Sequence, residues 1–370
     1  MIELLLHEFH SGLGGRFGEV AGLEVVEDYG DAEADYGAWR ASAGVADLSF
    51  RGRLALTGAD RRRFLHGQVT NQVLDLHEGD GCYAALVTAK GKMQSDLNIY
   101  CLPGELILDF EPGLSGLVVQ RLEKFIIADD VQVAEVAPYY GLLSVQGPKS
   151  AAVVSSLALN LKLPTQCLSI SSVASQEWGE VYCVQHSRSL ALGFDLWVPV
   201  PALEAMAARL VAAARGLGGR PVGWKAMEMA RIEAGIPRFG WDMDETHLPP
   251  ETGIEARAVS YTKGCYIGQE VLARLRTYGH VAKALRGLRL PDELPELPRK
   301  GDKLVREGKE VGYLTSVVRL PAPPRTIALG YVRREHDALG TILQVLAPGG
   351  ACEAKIVPLP FQDGDGIPPS

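Results

Sequence analysis

The stretch "CYAALVTAKGKMQSDLNIYC", residues 82 to 101, constrains the fold more than any other. It reads as two strands joined by a tight turn at "AKGK". So short a link joins only antiparallel neighbours, because parallel strands need a crossover of a dozen or more residues. Helical segments lie on either side. "GRLALTGADRRRFLHGQVTNQV" reads as strand, turn and helix, with Asp60 as N-cap and Phe64 and Leu65 on the apolar face. "SGLVVQRLEKFI" has helical periodicity through Leu117, Val118, Leu122 and Phe125. Hairpins mixed with helices favour an α+β fold over a doubly wound parallel sheet.

At 370 residues the chain is too long for one ordinary core. The strand–turn–helix pattern returns in "LLSVQGPKSAAVVSSL", and "LGFDLWVPVPALEAMAARLVAAARG" reads as a strand followed by an Ala-rich helix. "WKAMEMARIEAGIP" is a helix stopped by Gly235 and Pro237. "PDELPELPRKGDK" reads as a linker near residue 295, and the short strands beyond it predict a small β-barrel or sandwich. The tail "DGDGIPPS" is expected to fray.

The formal net charge of -8 argues against a broad nucleic-acid footprint. The one dense basic run, Arg61 to Arg63, reads as a solvated helix start. No apolar run is long enough to span a bilayer, and "MIELLLHEFH" lacks a basic leader and a small-residue cleavage site. The six cysteines form no CxxC and no metal-type cluster, which suits a reducing cytoplasm. No Walker motif, dinucleotide fingerprint, nucleophile elbow or HExxH is present.

Three segments carry candidate chemistry. In "YTKGCYIGQEVLARLR", Cys265 stands two residues from Lys263, just before a predicted helix N-terminus. Both features favour a thiolate. It reads either as a reactive thiol or as a half-buried cysteine in a tight connection. In "RIEAGIPRFGWDMDE", Glu233 falls near a helix C-terminus, where a carboxylate is disfavoured. Compensation must come from Arg231 or Arg238, or from the paired N–H groups of a pterin-like ligand. Asp242, Asp244 and Glu245 lack EF-hand spacing and read as a loop. In "KGKMQSDLNIY", Asp96 interrupts a strand. It sits either on the solvent face of an edge strand or against a cavity, as an amine-binding or acid–base group.

"ADLSFRGRLALTGADRRRFLHGQVTNQV", "VQGPKS", "RIEAGIPRFGWDMDE", "KGCYIGQE" and "VGYLTSVV…IALGYV" occur in the order seen in the glycine-cleavage T-protein superfamily. The chain resembles that superfamily from about residue 35 to 360. "KGCYIGQE" is similar to the signature of its YgfZ branch, which includes mitochondrial assembly factors for 4Fe–4S proteins. The resemblance implies a three-domain α+β cloverleaf around a central channel for tetrahydrofolate, with a C-terminal β-barrel. The implied division is 1–140 completed by 221–290, then 141–220, then 291–370. It implies that Glu233 is the pterin-binding glutamate and Asp96 the acid near the folate amine, and it puts Tyr83 and Arg231 in the same site. The motif residues are Lys263, Gly264, Cys265, Tyr266, Gly268, Gln269 and Glu270. The chain departs from the family in three places. T-proteins carry a pair of acids where this chain has Ser95 and Asp96. Their basic cluster is reduced here to Arg257 and Lys263. The tryptophans of the enterobacterial branch fall on Arg51 and Met227.

The function implied first is a folate-dependent accessory factor for iron–sulfur cluster assembly or repair, with a link to tRNA-modifying enzymes. Its partners would be folate and iron–sulfur client or assembly proteins, without membrane or direct nucleic-acid contact. The second is an aminomethyltransferase using Asp96 and Glu233. The third is a docking module that binds no folate.

Overall fold

The structure is a computed structural model that describes residues 1–362; the tail expected to fray, 363–370, lies outside them. Gly81–Val87 and Met93–Leu102 pair antiparallel, and the turn between them passes through Gly91 at φ +73°. They open a five-stranded antiparallel sheet continued by Glu105–Phe110, Gly52–Thr57 and Gln132–Glu135. Helices Arg61–Gln68 and Ser115–Glu123 bury Phe64, Leu65, Val118 and Leu122 against the sheet's Leu54, Leu86 and Leu106. Asp60 occupies the N-cap position, but its carboxylate accepts the Asp130 N–H at 3.0 Å instead of capping the helix.

The second sheet runs Ile170–Ser175, Gly179–Gln185, Gly193–Pro199, Tyr140–Gln146, Gly44–Asp47 and Arg220–Pro221. The 17-residue helix Val200–Gly216 packs Leu203, Met206 and Leu210 onto it. One of its strands comes from outside 141–220: Gly44–Asp47 pairs antiparallel with residues 143–146, and Arg220–Pro221, which straddles the end of that range, runs parallel to Gly44 and Val45. A four-residue strand buried throughout has no alternation by which a sequence pattern could mark it.

The third sheet is a closed six-stranded barrel of Lys283–Leu290, Pro324–Arg333, Lys309–Pro321, Lys303–Arg306, Ile342–Ala347 and Gly350–Val357. Its first strand precedes "PDELPELPRKGDK". That segment is therefore a loop inside the barrel, not a linker, and a boundary at 291 would cut off the first strand. Proline and charge mark a solvated connection without saying what it connects.

The three sheets close on one core that includes Tyr36, Trp39, Tyr100, Trp197, Leu320 and Tyr331. The helix Trp224–Glu233 runs through this junction and stops at Gly235, φ +68°, where a Cβ would meet the Leu359 side chain at 2.9 Å. The loop beyond it turns Asp242 inward to 1 % exposure. Its carboxylate accepts Arg231 Nη1, Thr315 Oγ1 and Ser316 Oγ, each at 2.6 Å, and the Arg238 N–H at 3.1 Å. Helix and barrel are thus joined through one buried charge.

Removing that charge takes from the Arg231 guanidinium its fully buried partner, leaves Glu228 alone to offset it, and costs the Thr315 and Ser316 hydroxyls their shared acceptor. Asp242→Ala should lower stability by about 3–5 kcal/mol. Thermal unfolding at neutral pH checks this, and an unchanged melting temperature would contradict the junction described here.

Candidate functional site

Where the helix Trp224–Glu233 faces the first two sheets, a cavity of ≈ 470 Å³ opens. That is within the size range of small-molecule sites. One wall is the hairpin that carries Tyr83, Asp96 and Asn98; Arg51 and Glu111 flank it. His186 and Arg188 enter from the second sheet's side, and Met227, Glu228 and Arg231 from the helix.

Asp96 lies on the second strand of the sheet, not at its edge, with Ala85 opposite. Tyr83 donates its hydroxyl to Asp96 Oδ2 at 2.8 Å, while Oδ1 is buried without a hydrogen-bond partner. Burial pushes this carboxyl up to about 6, and the neighbouring Glu111 adds to the effect; the Tyr83 hydrogen bond opposes both. Glu111 also has a buried oxygen without a partner, Oε2, while its Oε1 accepts Arg51 Nη1 at 2.5 Å. Arg51 is held at its other edge by Asp109, at 2.9 and 3.1 Å. Arg188 and His186 both bind Asp195, at 2.6 and 3.1 Å. Burial and the adjacent Arg188 lower His186, so its imidazole is neutral at physiological pH. The cavity therefore offers carboxylate acceptors awaiting N–H donors, oriented guanidinium groups, and one acid that changes protonation near neutrality.

Of the residues singled out in the sequence, Asp96, Tyr83 and Arg231 line this cavity, and so do Arg51 and Met227. Glu233 does not. It is 3 % exposed, accepts the Tyr36 hydroxyl at 2.7 Å and pairs with the Arg325 guanidinium. It borders a smaller hollow of ≈ 220 Å³ that shares Trp39 with the cavity. Its compensating arginines are thus Arg325 of the barrel and, at 3.8 Å, Arg40, not Arg231 or Arg238. Those two pair with Glu228, at 2.7 and 3.4 Å, and Glu228 lines the cavity in its place.

Cys265 is exposed and is not part of the cavity lining. The loop that carries it is firmly held. Lys263 is 6 % exposed and donates to the carbonyls of His66, Val69 and Asn71 at 2.6, 2.7 and 2.8 Å. Burial lowers its ammonium to about 8, though the three carbonyls favour keeping the proton. Tyr266 is buried with Phe239, Met243 and Leu272, and Lys263 lies 4.8 Å from its ring centre. Gly268, at φ +88°, leaves no room for a side chain, because a Cβ would come within 2.6 Å of the Thr88 carbonyl oxygen. The helix begins at Gln269, so Cys265 stands four residues upstream of it rather than at its first turn. Glu270 is exposed and pairs with Arg274 at 3.3 Å. A Cβ on Gly264 would lie 3.6 Å from His66 Nε2, so the histidine near this loop in space is His66.

Sequence reasoning missed Asn98, Glu111, His186, Arg188 and Glu228 as lining residues. They arrive from separate segments, and no local pattern distinguishes them from paired surface charges. Among the described residues, no group of three or more His, Cys, Asp or Glu side chains is placed to hold a metal ion. No described helix is long and apolar enough to cross a membrane.

Residues 6–263 match the GCVT N-terminal domain, and residues 283–363 match the glycine cleavage T-protein C-terminal barrel domain. The chain is 29 % identical over 370 residues to an aminomethyltransferase of Symbiobacterium thermophilum, covering 96 % of each chain. It is 27 % identical over 351 residues to a chloroplastic protein of Arabidopsis thaliana named provisionally as a transferase, covering 92 % of this chain and 76 % of that one. Its fold superposes on the glycine cleavage system aminomethyltransferase T of Bartonella henselae with a TM-score of 0.86 at 23 % identity, covering 97 % and 98 % of the two chains.

Asp96 gives a pH test. The folded chain holds its proton more tightly than the unfolded chain, so wild-type stability falls as pH rises from 3.8 to about 6 and the loss is complete above that. Asn cannot ionise. Asp96→Asn should therefore be more stable at pH 7.5 by up to roughly 3 kcal/mol, with the gain vanishing below pH ~4. Denaturant unfolding across this range checks it; a gain independent of pH would exclude the Asp96 charge as its cause.

Proposed function

The chain belongs to the glycine cleavage T-protein family, and on that premise we propose that it binds tetrahydrofolate in the central cavity and serves as a YgfZ-like accessory factor. Its work would be iron–sulfur cluster assembly or repair, including clusters of tRNA-modifying enzymes. The observation that carries this reading is the separation of thiol from cavity. Lys263 ties the "KGCYIGQE" loop to the carbonyl of Asn71, a cavity-lining residue, while Cys265 faces solvent. A thiol held outside acts on what a partner macromolecule brings, while a folate is held within.

The cavity suits a reduced folate in its chemistry. The unpartnered oxygens of Asp96 and Glu111 match the N–H groups of a pterin. We assign Asp96, Tyr83 and Arg231 to this ligand. Glu233 would reach it only by way of the hollow beside Trp39. The six free cysteines suit the reducing cytoplasm in which we place the protein.

Asp96 also favours a second reading, aminomethyl transfer. An acid of pKa about 6 with a free oxygen in the cavity can accept or return an amine proton near neutral pH. Formation of methylene-tetrahydrofolate from an aminomethyl donor by the purified protein would establish it.

Titration with tetrahydrofolate should raise the melting temperature, by the equivalent of about 2.7 kcal/mol at a hundredfold excess over Kd. No shift at any concentration would remove folate from both readings. Cys265→Ala should keep that shift and yet fail to restore 4Fe–4S enzyme activity in cells lacking the gene. Full complementation by the variant would overturn the accessory role of the thiol.

A further inference from the structure

Two cations face each other at one end of the barrel. Lys283 opens the strand Lys283–Leu290, and the sheet register sets it directly opposite Arg333, the last residue of Pro324–Arg333. Residues so opposed in an antiparallel pair share one face of the sheet, and like charges there repel. Arg334 follows at once, with its backbone N–H on the Ala282 carbonyl at 3.1 Å. Three positive side chains thus crowd one strand end.

All three line a surface pocket of ≈ 480 Å³ beside the short turn Pro249–Glu251. It has no lining residue in common with the central cavity. Two acids line it as well, but among the described residues neither comes within ion-pair distance of the three cations. Glu251 is buried and gives Oε2 to the Leu248 N–H at 2.8 Å, while Glu335 is exposed. Lys283 is instead held by neutral groups. It donates to the Tyr313 hydroxyl at 2.9 Å and to His247 Nε2 at 3.2 Å, and lies 4.7 Å from the Tyr331 ring centre. His247 can accept there because its Nδ1 is turned to the Asp244 carboxylate, at 2.8 Å. The ammonium is thereby fixed in place with one N–H still to give.

We propose that this pocket is a phosphate-binding site, for the dianion of free phosphate or of a small phosphomonoester. Two guanidinium forks and one positioned ammonium match the oxygens of a phosphate group. A dianion between Lys283 and Arg333 would turn their mutual repulsion into a shared attraction. The volume is in the range of small-molecule sites, which leaves room for the organic part of an ester. The inference stands apart from the folate and thiol readings, since it uses none of their residues.

The test uses the full chain in buffers of matched ionic strength, so that screening is the same throughout. The probes are inorganic phosphate and ribose 5-phosphate, with potassium chloride as the reference. Both phosphates should raise the melting temperature above that in chloride, and calorimetry should show one site. Tighter binding of ribose 5-phosphate would identify an ester as the occupant; equal affinities would identify free phosphate. Arg333→Gln, Arg334→Gln and Lys283→Met should each weaken binding roughly tenfold or more. Both arginines are exposed, so their variants guard against a folding defect at Lys283. Repulsion adds a second signature. In chloride alone Arg333→Gln should melt at or above wild type, and in saturating phosphate below it. Three results would overturn the proposal: no gain over chloride in wild type, the same gain in Arg333→Gln, or a lower melting temperature of Arg333→Gln in chloride alone. An RNA oligonucleotide that binds through the same residues when neither small phosphate does would overturn it too.

Discussion

The arrangement of the molecule depends on the Asp242 carboxylate, buried at 1 % exposure between a helix and a barrel. An ionised carboxylate in such a place is tolerable only if fully solvated by the protein. Here Arg231, Thr315, Ser316 and a backbone N–H do that together. Arg231 is shared. Its other nitrogens bind Glu228 at 2.7 and 3.2 Å, and Glu228 lines the central cavity. The position of the barrel and the shape of the cavity wall are therefore set by one chain of charges. The second barrel contact, Arg325 on Glu233, fixes the end of the same helix.

Against this well-satisfied seam the cavity stands out for what it leaves unsatisfied. Asp96 and Glu111 each keep a buried oxygen without a donor, although Tyr83 and Arg51 serve their partner oxygens. Buried polar groups are usually paired, so these two exceptions leave acceptors in the hollow that an incoming donor can engage. The Cys265 loop shows the opposite economy. Lys263, Tyr266 and Gly268 are committed to holding the backbone, and the sulfur is left to solvent. One region leaves acceptors facing a hollow, the other leaves a sulfur facing solvent.

Local patterns gave a sound account of the elements. The "AKGK" turn, the helix ending at Gly235 and the strand-rich C-terminal module all formed for the reasons their residues imply. Reasoning failed where a residue's role depends on a distant partner. Asp242 looked like one acid in an unremarkable loop, yet it is the buried junction, because Thr315 and Ser316 lie more than seventy residues away. Asp60 has an N-cap's position, but its carboxylate serves Asp130. Glu233 and Glu228 are five residues apart on one helix and face different hollows, which sequence spacing alone did not separate.

Turn chemistry, periodicity and the "KGCYIGQE" motif were determined by the sequence alone, because each depends on neighbours within a few residues. Tertiary structure alone decided which carboxylates meet a cavity, which arginine neutralises which acid, and that the thiol lies outside. Burial and hydrogen-bond satisfaction are properties of the folded assembly. A side chain's charge state and reach follow from groups that only the closing of the three sheets brings within a few ångströms.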